Sequence, residues 1–424
     1  MKVPHVVVVG AGPSGVYAAD EIVRAQGWRV DIIDRLPTPY GLLRYGVAPD
    51  HLRMKSLSRA LERVFQHEEV RFLGNVQVGR DVTVSELRER YDAIVYAVGA
   101  PGYRQLNIPG EGLDGVLPST SFVSWYSGHP DAVTPVDLST VTSVAVLGAG
   151  NVALDVARVL AKSASELSHT DIPSGVLERL ETSRVEDIHV FARRGPADVK
   201  FTFKELAEFG ELLNAGVVVH ADPEELGDEP GQAPAGSTVL DLFRQWKHQA
   251  EVKRARTVHF HFGLTPTAIQ GDERVRSVSF TDTLTGEARS FSADLALVAV
   301  GSLGRSLDDV PFDSESGVIP HTEGRVHSPD RHGREYVVGW IKRGPSGVIG
   351  VNRADAAATV ATLVADLESV TPQARPLTGE DLPEMIEWSN WLDIDAAEVD
   401  AGTTREAARV KLSSWQDLLK AARR

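Results

Sequence analysis

The sequence predicts an α/β protein made of two related domains, each built around a parallel β-sheet. A β-branched run at residues 6–9 ends in glycine and is followed by a helical stretch and by a second strand at 28–34. The same order of strand, glycine turn, helix and strand returns at residues 143–194. Two further apolar strands, at 91–100 and 293–302, each end in glycine and look like matching strands of the two domains. Short apolar runs of this kind are typical of strands buried on both faces of a parallel sheet.

Composition narrows the possible functions. The chain has 424 residues, enough for two or three domains, and no run approaches the 18 or more apolar residues that a membrane span needs. It has no cysteine, which excludes disulfides, thiolate metal sites and a redox-active dithiol. Any redox chemistry must therefore use a bound cofactor. A net charge of −15 disfavours nucleic acid and acidic lipid as partners. Met1 leads almost directly into the first strand, leaving no room for a signal peptide, so we expect a cytoplasmic protein.

The first glycine turn has the pattern of a dinucleotide-binding site. Gly10 permits a tight turn, Gly12 allows close approach of a pyrophosphate, and Gly15 allows the helix to pack on the strand. The acid Asp34 follows Gly15 by 19 residues, where it would accept hydrogen bonds from ribose hydroxyls and repel a 2′-phosphate. The site therefore suits FAD or NAD, although a purely structural turn is the alternative. The predicted contacts here are Gly10, Gly12, Pro13, Ser14, Gly15 and Asp34.

The second glycine turn differs in the residues that follow it. Gly148, Gly150 and Ala153 repeat the fingerprint, but the next strand ends in Arg193 and Arg194, which follow Gly150 by 43 and 44 residues. Two guanidinium groups can bind a 2′-phosphate, which favours NADP; a pair of ordinary surface arginines is the alternative. The insertion at 164–186 and the Gly/Pro-rich stretch 227–237 are predicted to be surface loops.

One site for FAD and one for NADP imply hydride transfer between nicotinamide and flavin. We predict two Rossmann-like domains in a glutathione-reductase-like architecture, with a split FAD domain (residues 1–105 and 325–424) and an inserted NADP domain (106–324). Because the chain lacks cysteine, the flavin must pass electrons to an external acceptor. The region after about residue 370 is expected to pack against the domains, with a helix from Trp415 capped by Ser414.

Four long blocks resemble the adrenodoxin-reductase-type ferredoxin–NADP reductases. They are LPTPYGLLRYGVAPDH (36–51), GAGNVALDVARVL (148–160), RRGPADVKFTFKEL (193–206) and GWIKRGPSGVIGVNRADA (339–356). The resemblance implies NADPH-dependent reduction of FAD, then single-electron transfer to a ferredoxin. Gly15 stands where some members carry alanine, and either residue is expected to fit.

The resemblance also assigns individual residues. The further FAD contacts that it implies are Leu42, Val78, Trp340, Gly347, Val348 and Ile349. The NADP contacts that it implies, beside Gly150, are Arg104, Asn151, Val152, Arg193, Arg194 and Glu205. His51 resembles the family's active-site histidine, with Glu208 as its expected partner and Asp155 as a further member of the cluster. Without the resemblance, His51 would read as a loop histidine.

Two further groups of residues received predictions. His259 and His261 alternate on a strand and would share one face, but no third ligand is near in sequence, so no metal site is predicted. A basic cluster is proposed as a docking face for an acidic ferredoxin, with a solvated helix face as the alternative. Its members are Arg244, Lys247, Lys253, Arg254 and Arg256.

Two rival functions remain open. One is a reductase for another acceptor, such as a glutamate-synthase-like partner or a quinone, because the nucleotide fingerprints would look similar. The other is a nucleotide-binding redox sensor without catalytic turnover, whose flavin NADPH would not reduce rapidly.

Overall fold

Two parallel sheets organise the chain, and a computed structural model describes residues 3–133, 137–227, 238–249, 254–327, 334–347 and 349–423. The strands are β1 His5–Val9, β2 Arg29–Ile33, β3 Val70–Leu73, β4 Ala93–Tyr96, β5 Gly102–Tyr103, β6 Val116–Pro118, β7 Ser143–Leu147, β8 Asp187–Phe191, β9 Ala215–His220, β10 Arg256–His261, β11 Leu264–Gly271, β12 Val275–Asp282, β13 Ala288–Ser292, β14 Leu295–Val298, β15 Ser302–Leu303, β16 His321–Thr322, β17 Arg325–Val326 and β18 Glu335–Val337.

Helices cover these sheets. They are α1 Pro13–Gln26, α2 Leu42–Tyr45, α3 Leu52–Lys55, α4 Ser58–Glu62, α5 Val84–Arg90, α6 Ser119–Tyr126, α7 Asn151–Ala161, α8 Ala164–Leu167, α9 Ser174–Glu181, α10 Phe203–Ala207, α11 Val239–His248, α12 Trp340–Arg343, α13 Ile349–Leu367, α14 Trp388–Thr404 and α15 Trp415–Ala421. Short 3₁₀ turns lie at Arg63–Gln66, Leu138–Thr140, Pro196–Asp198 and Glu208–Glu211. Among the described helices, none is both long and apolar enough to cross a bilayer.

The first sheet has the order β16-β17-β18-β4-β1-β2-β3, and its strands from β18 to β3 are parallel. Both faces of β1 are buried, as its unbroken apolar run predicts. Val6 and Val8 pack into one core cluster with α1 and α13, whereas Val7 and Val9 pack into another on the opposite face. This burial on both faces is the reason that the strand lacks the usual alternation of apolar and polar residues.

The second sheet is entirely parallel in the order β6-β14-β7-β8-β10-β9. An antiparallel sheet of β11, β12 and β13 packs against it through Phe191 and Phe280, whose rings stack at 4.3 Å. The two connections between the main sheets run side by side, because β5 pairs with β15 in an antiparallel bridge. The strand β16 already belongs to the first sheet, although it lies before residue 325. The domain boundaries themselves stay a prediction.

The insertion 164–186 is more ordered than a surface loop, so that prediction was wrong. It contains α8 and α9, and Leu167, Ile172 and Leu180 are almost fully buried in the second core. Their spacing gives the insertion an apolar side, whereas sequence reasoning predicted a loop because these residues interrupt the second β-α-β unit. Residues 228–237 of the other predicted loop lie outside the described residues.

The C-terminal region packs onto both domains. Trp388 stacks on Phe65 at 4.4 Å, and the side chain of Glu398 forms a buried ion pair with Arg44. Lys411 Nζ donates to the carbonyl oxygens of Arg44 (2.6 Å) and Ser127 (3.0 Å), so it ties α2 to the end of α6. Ser414 caps α15 as predicted, since its side chain accepts the Asp417 N–H.

Four histidines stack across the second sheet. His259 and His261 share one face of β10, as predicted, and are joined by His189 and His220. His189 Nδ1 lies 3.0 Å from His261 Nε2, and His220 Nε2 lies 3.1 Å from His259 Nδ1. Burial lowers the pKa of His189 and of His220 to about 4. Within the described ranges, no group of three or more side chains is arranged to hold a metal ion.

Candidate active site

The first glycine turn forms an open cradle between β1 and α1. Gly10 has φ +113°, and a Cβ there would lie 2.5 Å from the Ala97 carbonyl oxygen. A Cβ on Gly12 would meet nothing within 4 Å, so space remains above the turn. Among the residues that the structure describes, no side chain caps the N-terminus of α1, which begins with Pro13. Backbone N–H groups beside open space fit the pyrophosphate of a dinucleotide.

Gly15 is more constrained than the sequence suggested. A Cβ at this position would lie 2.0 Å from the Gly10 carbonyl oxygen. The expectation that alanine would fit equally well is therefore wrong for this chain, because backbone atoms would have to move.

Asp34 fixes the turn from the end of β2. Its two carboxylate oxygens accept the N–H groups of Ala11 (2.8 Å) and Leu36 (2.9 Å). Burial raises the pKa of Asp34, and these two hydrogen bonds oppose the shift. Each oxygen keeps a further lone pair, so the carboxylate can still accept a ribose hydroxyl. Its role in ribose binding stays a prediction.

The other predicted FAD segments converge on the same turn. A Cβ on Gly339 would lie 2.3 Å from Ser14 Oγ, and one on Gly41 would lie 3.1 Å from Gly12 Cα. These close approaches place Leu42 and Trp340 next to the cradle, since each follows one of these glycines. Gly347 is exposed with φ +83°, whereas Val348 and the Ile349 side chain lie outside the described residues.

Two residues that sequence reasoning missed hold this second segment in place. Asp355 accepts the Gly339 N–H at 2.6 Å and pairs with Lys342 Nζ at 2.7 Å. Both lie inside the block 339–356, but their pairing depends on α13 folding back against α12.

Val78, a further predicted FAD contact, is half-buried. It lies two residues after Val76, whose N–H donates to the Asp34 carbonyl oxygen at 2.9 Å, so its segment runs beside the end of β2.

The second glycine turn repeats the first in detail. Gly148 has φ +146°, and its Cβ would lie 2.2 Å from the Ala299 carbonyl oxygen, as Gly10 does with Ala97. Within the described part of the chain, a Cβ on Gly150 would meet nothing within 4 Å, and no side chain caps α7. The first turn of α7 carries Asn151 and an exposed Val152.

Arg193 and Arg194 stand beside this second cradle. Both are exposed, and across the described part of the chain neither pairs with a carboxylate. The Lys200 N–H donates to the Ala149 carbonyl oxygen at 3.0 Å, so the loop that starts at these arginines returns to the glycine turn. Two free guanidinium groups at this position fit a 2′-phosphate. Lys200 is a third cation there, which sequence reasoning did not single out.

Two predicted NADP contacts have less direct positions. The Arg104 N–H donates to the Gly301 carbonyl oxygen at 2.9 Å, and its side chain lines a surface pocket of about 340 Å³. Glu205 hydrogen-bonds to Thr202, the residue that caps α10. Contacts of both residues with NADP stay predictions.

His51 lies where the two domains meet, a region that we call the domain junction, and its ring contacts side chains of the second domain. Its Nε2 lies 2.7 Å from Glu208 Oε2, and its Nδ1 lies 3.8 Å from Asp155 Oδ1. Burial alone would lower the pKa of His51, but the hydrogen bond with Glu208, aided by the charge of Asp155, raises it. The structure therefore brings together the three residues predicted for this cluster.

Arg158 lies at the centre of this cluster and was missed. Its side chain is fully buried and donates two hydrogen bonds to Asp50, at 2.8 and 3.0 Å. It also forms ion pairs with Asp155 (2.9 Å) and Glu208 (3.2 Å). One guanidinium thus holds three carboxylates around His51. The signal in the sequence was the spacing of Asp155 and Arg158, which puts both on one side of α7.

The buried Tyr126 hydroxyl faces this junction without a hydrogen-bond partner among the described residues. Burial raises the pKa of Tyr126, and it also raises the pKa of Asp155, whose Oδ1 is paired with Arg158. Because an unsatisfied buried polar group is costly, the Tyr126 hydroxyl fits a site where a bound molecule or water supplies the missing partner.

Side chains of the predicted docking face also make contacts within the second domain, and their role in docking stays a prediction. Arg244 donates to the Leu226 carbonyl oxygen (2.8 Å) and pairs with Asp241. Arg254 donates to the carbonyl of Leu212 (2.8 Å) and Arg256 to that of Leu160 (2.7 Å), while Lys247 reaches the carbonyl of Val219 (3.4 Å). These side chains brace the second domain, and Lys253 lies outside the described residues.

Comparisons with known proteins place the chain among reductases. The model of the family "Pyridine nucleotide-disulphide oxidoreductase" matches residues 4–195. The chain is 40% identical to a probable ferredoxin/ferredoxin–NADP reductase of Mycobacterium leprae, covering 98% of this chain and 77% of the relative. It is 38% identical to the mitochondrial NADPH:adrenodoxin oxidoreductase of Arabidopsis thaliana, covering 99% and 95%. The solved structure of Mycobacterium tuberculosis FprA in complex with NADPH superposes with a TM-score of 0.90 at 38% identity, covering 100% of both chains.

Proposed function

The chain belongs to the family of ferredoxin–NADP and adrenodoxin reductases, and on that premise we propose that it transfers electrons from NADPH through FAD to a ferredoxin-type iron–sulfur protein. The observation that carries this proposal is the pair of uncapped glycine cradles in one chain. One is followed by a carboxylate and the other by two exposed arginines, so the two sites differ in the nucleotide that they favour.

The residues of the chain have separate tasks in this function. The first cradle and Asp34 bind FAD, whereas the second cradle with Arg193 and Arg194 binds NADPH. We propose that residues 1–105 and 325–424 serve FAD and residues 106–324 serve NADP. When bound, FAD accepts two electrons as hydride and releases them singly.

Hydride transfer needs the two cofactor rings to be correctly positioned rather than an acid or a base, so the main task of the domain junction is to hold the two nucleotide sites in position. His51 and Glu208 hold a proton between Nε2 and Oε2 at this junction, and Arg158 keeps their surroundings fixed. Since the chain contains no cysteine, the electrons must leave to a separate acceptor. We propose the cytoplasm as its compartment.

The decisive experiment is anaerobic stopped-flow absorbance of the FAD-loaded protein. We expect rapid bleaching of the flavin by NADPH, slower bleaching by NADH, and reoxidation when a ferredoxin is added. Flavin that NADPH does not reduce would favour the sensor alternative. Reoxidation by a quinone but not by a ferredoxin would favour the other acceptor class.

Nicotinamide preference tests the second cradle separately. Arg193→Ala with Arg194→Ala should raise the KM for NADPH by about tenfold per arginine, because each removes a charge-assisted hydrogen bond to the 2′-phosphate. The KM for NADH should change little. Equal effects on both nucleotides would contradict the assigned role.

The finer proposal of docking at the 244–256 cluster has its own test. If these residues bind an acidic ferredoxin, Arg244→Glu with Lys247→Glu should raise the KM for ferredoxin. An unchanged KM would show that they only brace the second domain.

A further inference from the structure

A surface outside the cradles combines exposed leucines with exposed positive charge. It begins directly after His51, where α3, α4 and the turn Arg63–Gln66 form a nearly continuous helical run. Within this run the Lys55 N–H donates to the His51 carbonyl oxygen (3.1 Å) and the Leu61 N–H to that of Leu57 (3.2 Å). We call its exposed side the arginine–leucine surface, and it consists of Leu52, Arg53, Leu57, Arg59 and Arg63.

The two sides of this run differ sharply in burial. Leu61, Val64 and Phe65 are at most 5% exposed and pack into the first core. By contrast, Leu52 is 46% exposed and Leu57 is 38% exposed. The exposed leucines therefore contribute little to the core, and exposed large apolar side chains rimmed by charged residues are typical of interaction sites.

The charge of this surface is opposite to that of the whole protein. The chain carries a net −15, yet residues 51–63 contain four basic residues and one acid, Glu62. Lys55 is neutralised by Asp171 at 2.6 Å. Arg53, Arg59 and Arg63 are exposed, and no ion pair with a described residue involves them. In this they differ from Arg244 and Arg256, whose guanidinium groups serve the fold.

This surface adjoins the candidate active site. Its first residue follows His51, which reaches Glu208 across the domain junction. The helix α3 also contacts α2, whose first residue, Leu42, is 45% exposed and lies beside the first cradle. A partner seated here would therefore come close to the predicted flavin segments, as electron transfer requires.

We propose that the arginine–leucine surface docks the electron acceptor, a small acidic iron–sulfur protein. This proposal rests on the function proposed above. The three arginines attract and orient the partner, and the leucines supply a small desolvated centre, which is the anatomy of a transient interface. Oxidation of one NADPH to NADP⁺ yields two electrons and one proton, so two acceptor molecules dock in turn, each taking one electron at its iron–sulfur centre.

Charge reversal tests this proposal in the FAD-loaded protein. Arg53→Glu, Arg59→Glu and Arg63→Glu are combined in one variant, and Arg184→Glu, Arg274→Glu and Arg276→Glu in a control. The control changes the net charge equally at exposed arginines of the second domain. Each is assayed with NADPH and two acceptors: a [2Fe–2S] ferredoxin and a small neutral quinone. A neutral variant, with glutamine at the three positions of the surface, replaces the first if charge reversal impairs folding.

We expect the first variant to raise the KM for ferredoxin about tenfold or more at low ionic strength, and this difference to shrink in high salt as the charges are screened. Turnover with the quinone should stay unchanged, and the control should shift the KM far less. The proposal would be overturned if the KM for ferredoxin did not change, or if it changed equally in the control. It would also be overturned if this KM rose only in the variant with Arg244→Glu and Lys247→Glu. Failure of the wild-type protein to reduce ferredoxin, with flavin still reduced by NADPH, would instead refute the proposed acceptor class.

Discussion

Replacing Arg158 by methionine tests how the domain junction is held together. The substitution removes a fully buried guanidinium that makes two hydrogen bonds to Asp50 and ion pairs with Asp155 and Glu208. Methionine fills a similar volume but leaves these carboxylates without their main counter-charge. Breaking a buried ion pair by removing one partner costs about 3–5 kcal/mol. Since Lys162 still pairs with Asp50 at 2.7 Å, we take the lower end, about 3 kcal/mol.

Thermal unfolding at pH 7.5 measures this loss. For a domain of 150–250 residues, 1 kcal/mol shifts Tm by about 2–4 °C, so the expected fall is roughly 6–12 °C. Arg158→Lys keeps the positive charge but not the bidentate contact with Asp50, so its Tm should lie between those of Arg158→Met and the wild type. Arg80→Met, which breaks an exposed pair with Asp81, should cost less than about 1 kcal/mol.

The pH dependence of Tm shows whether Arg158→Met loses stability through electrostatics or through packing. Burial would raise the pKa of Asp50, but its contacts with Arg158 and Lys162 hold that pKa well below its usual range. A carboxylate with a depressed folded pKa stabilises the protein above its unfolded pKa, and this contribution is lost as the pH falls through the folded value. The gap in Tm between wild type and Arg158→Met should therefore narrow below about pH 4. A fall of less than about 3 °C at pH 7.5, or a gap that does not change with pH, would refute the reasoning.

Two further predictions concern histidines. Glu208→Gln replaces the carboxylate whose hydrogen bond, against the effect of burial, raises the pKa of His51. A neutral amide can still hydrogen-bond to the ring, but it favours the imidazolium less than a carboxylate does, so the pKa of His51 should fall in an NMR titration assigned with His51→Gln. A folded pKa raised above 6.5 gives stability that is lost as the pH rises through it, and the variant should lose this stability at lower pH. An unchanged His51 pKa would contradict this assignment. His189→Phe with His261→Phe replaces a hydrogen-bonded pair of histidines, whose pKa values burial lowers to about 4 and about 2. A histidine whose folded pKa is lowered costs stability as the pH falls below its unfolded pKa, because the unfolded chain takes up the proton first. The wild type should therefore lose stability as the pH falls from 6.5 towards 4, and the double variant should lose less. Equal losses of Tm between pH 7.5 and pH 5 in both proteins would count against it.

The features that the sequence predicts well depend on local backbone geometry. At Gly10 the turn is so tight that a Cβ atom would lie 2.5 Å from a carbonyl oxygen, which excludes any side chain. The same holds for Gly148. This constraint operates within one β-α unit and its neighbouring strand, so it leaves a clear pattern in the sequence. The pairing of His51 with Glu208 is different, because the two residues are 157 positions apart and only the family resemblance suggested it.

The features that sequence reasoning missed depend on contacts between distant segments. Arg158 looks like an ordinary polar position of an amphipathic helix, and its burial follows from Asp50, which lies 108 residues earlier. Conversely, the sequence indicates no partner within the fold for Arg254 and Arg256, but backbone carbonyls of Leu212 and Leu160 accept their hydrogen bonds. Acceptors on the backbone have no signature in the side-chain pattern, so an apparent basic patch can be structural.

The helix α7 links the nucleotide cradle to the domain junction. Its N-terminus faces the open space above Gly150, while Asp155 and Arg158, one and two turns later, meet His51 and Asp50 of the first sheet's domain. A helix is stiff over this length, and Arg158 is held by two parallel hydrogen bonds, so a shift at one end cannot be absorbed between them. Any movement of the second domain that brings a nucleotide towards the first cradle must therefore carry the Asp155–Arg158 side of α7 with it or break the contact with Asp50. For this reason we expect the relative position of the domains to depend on the Arg158–Asp50 pair, as well as on the nucleotides themselves.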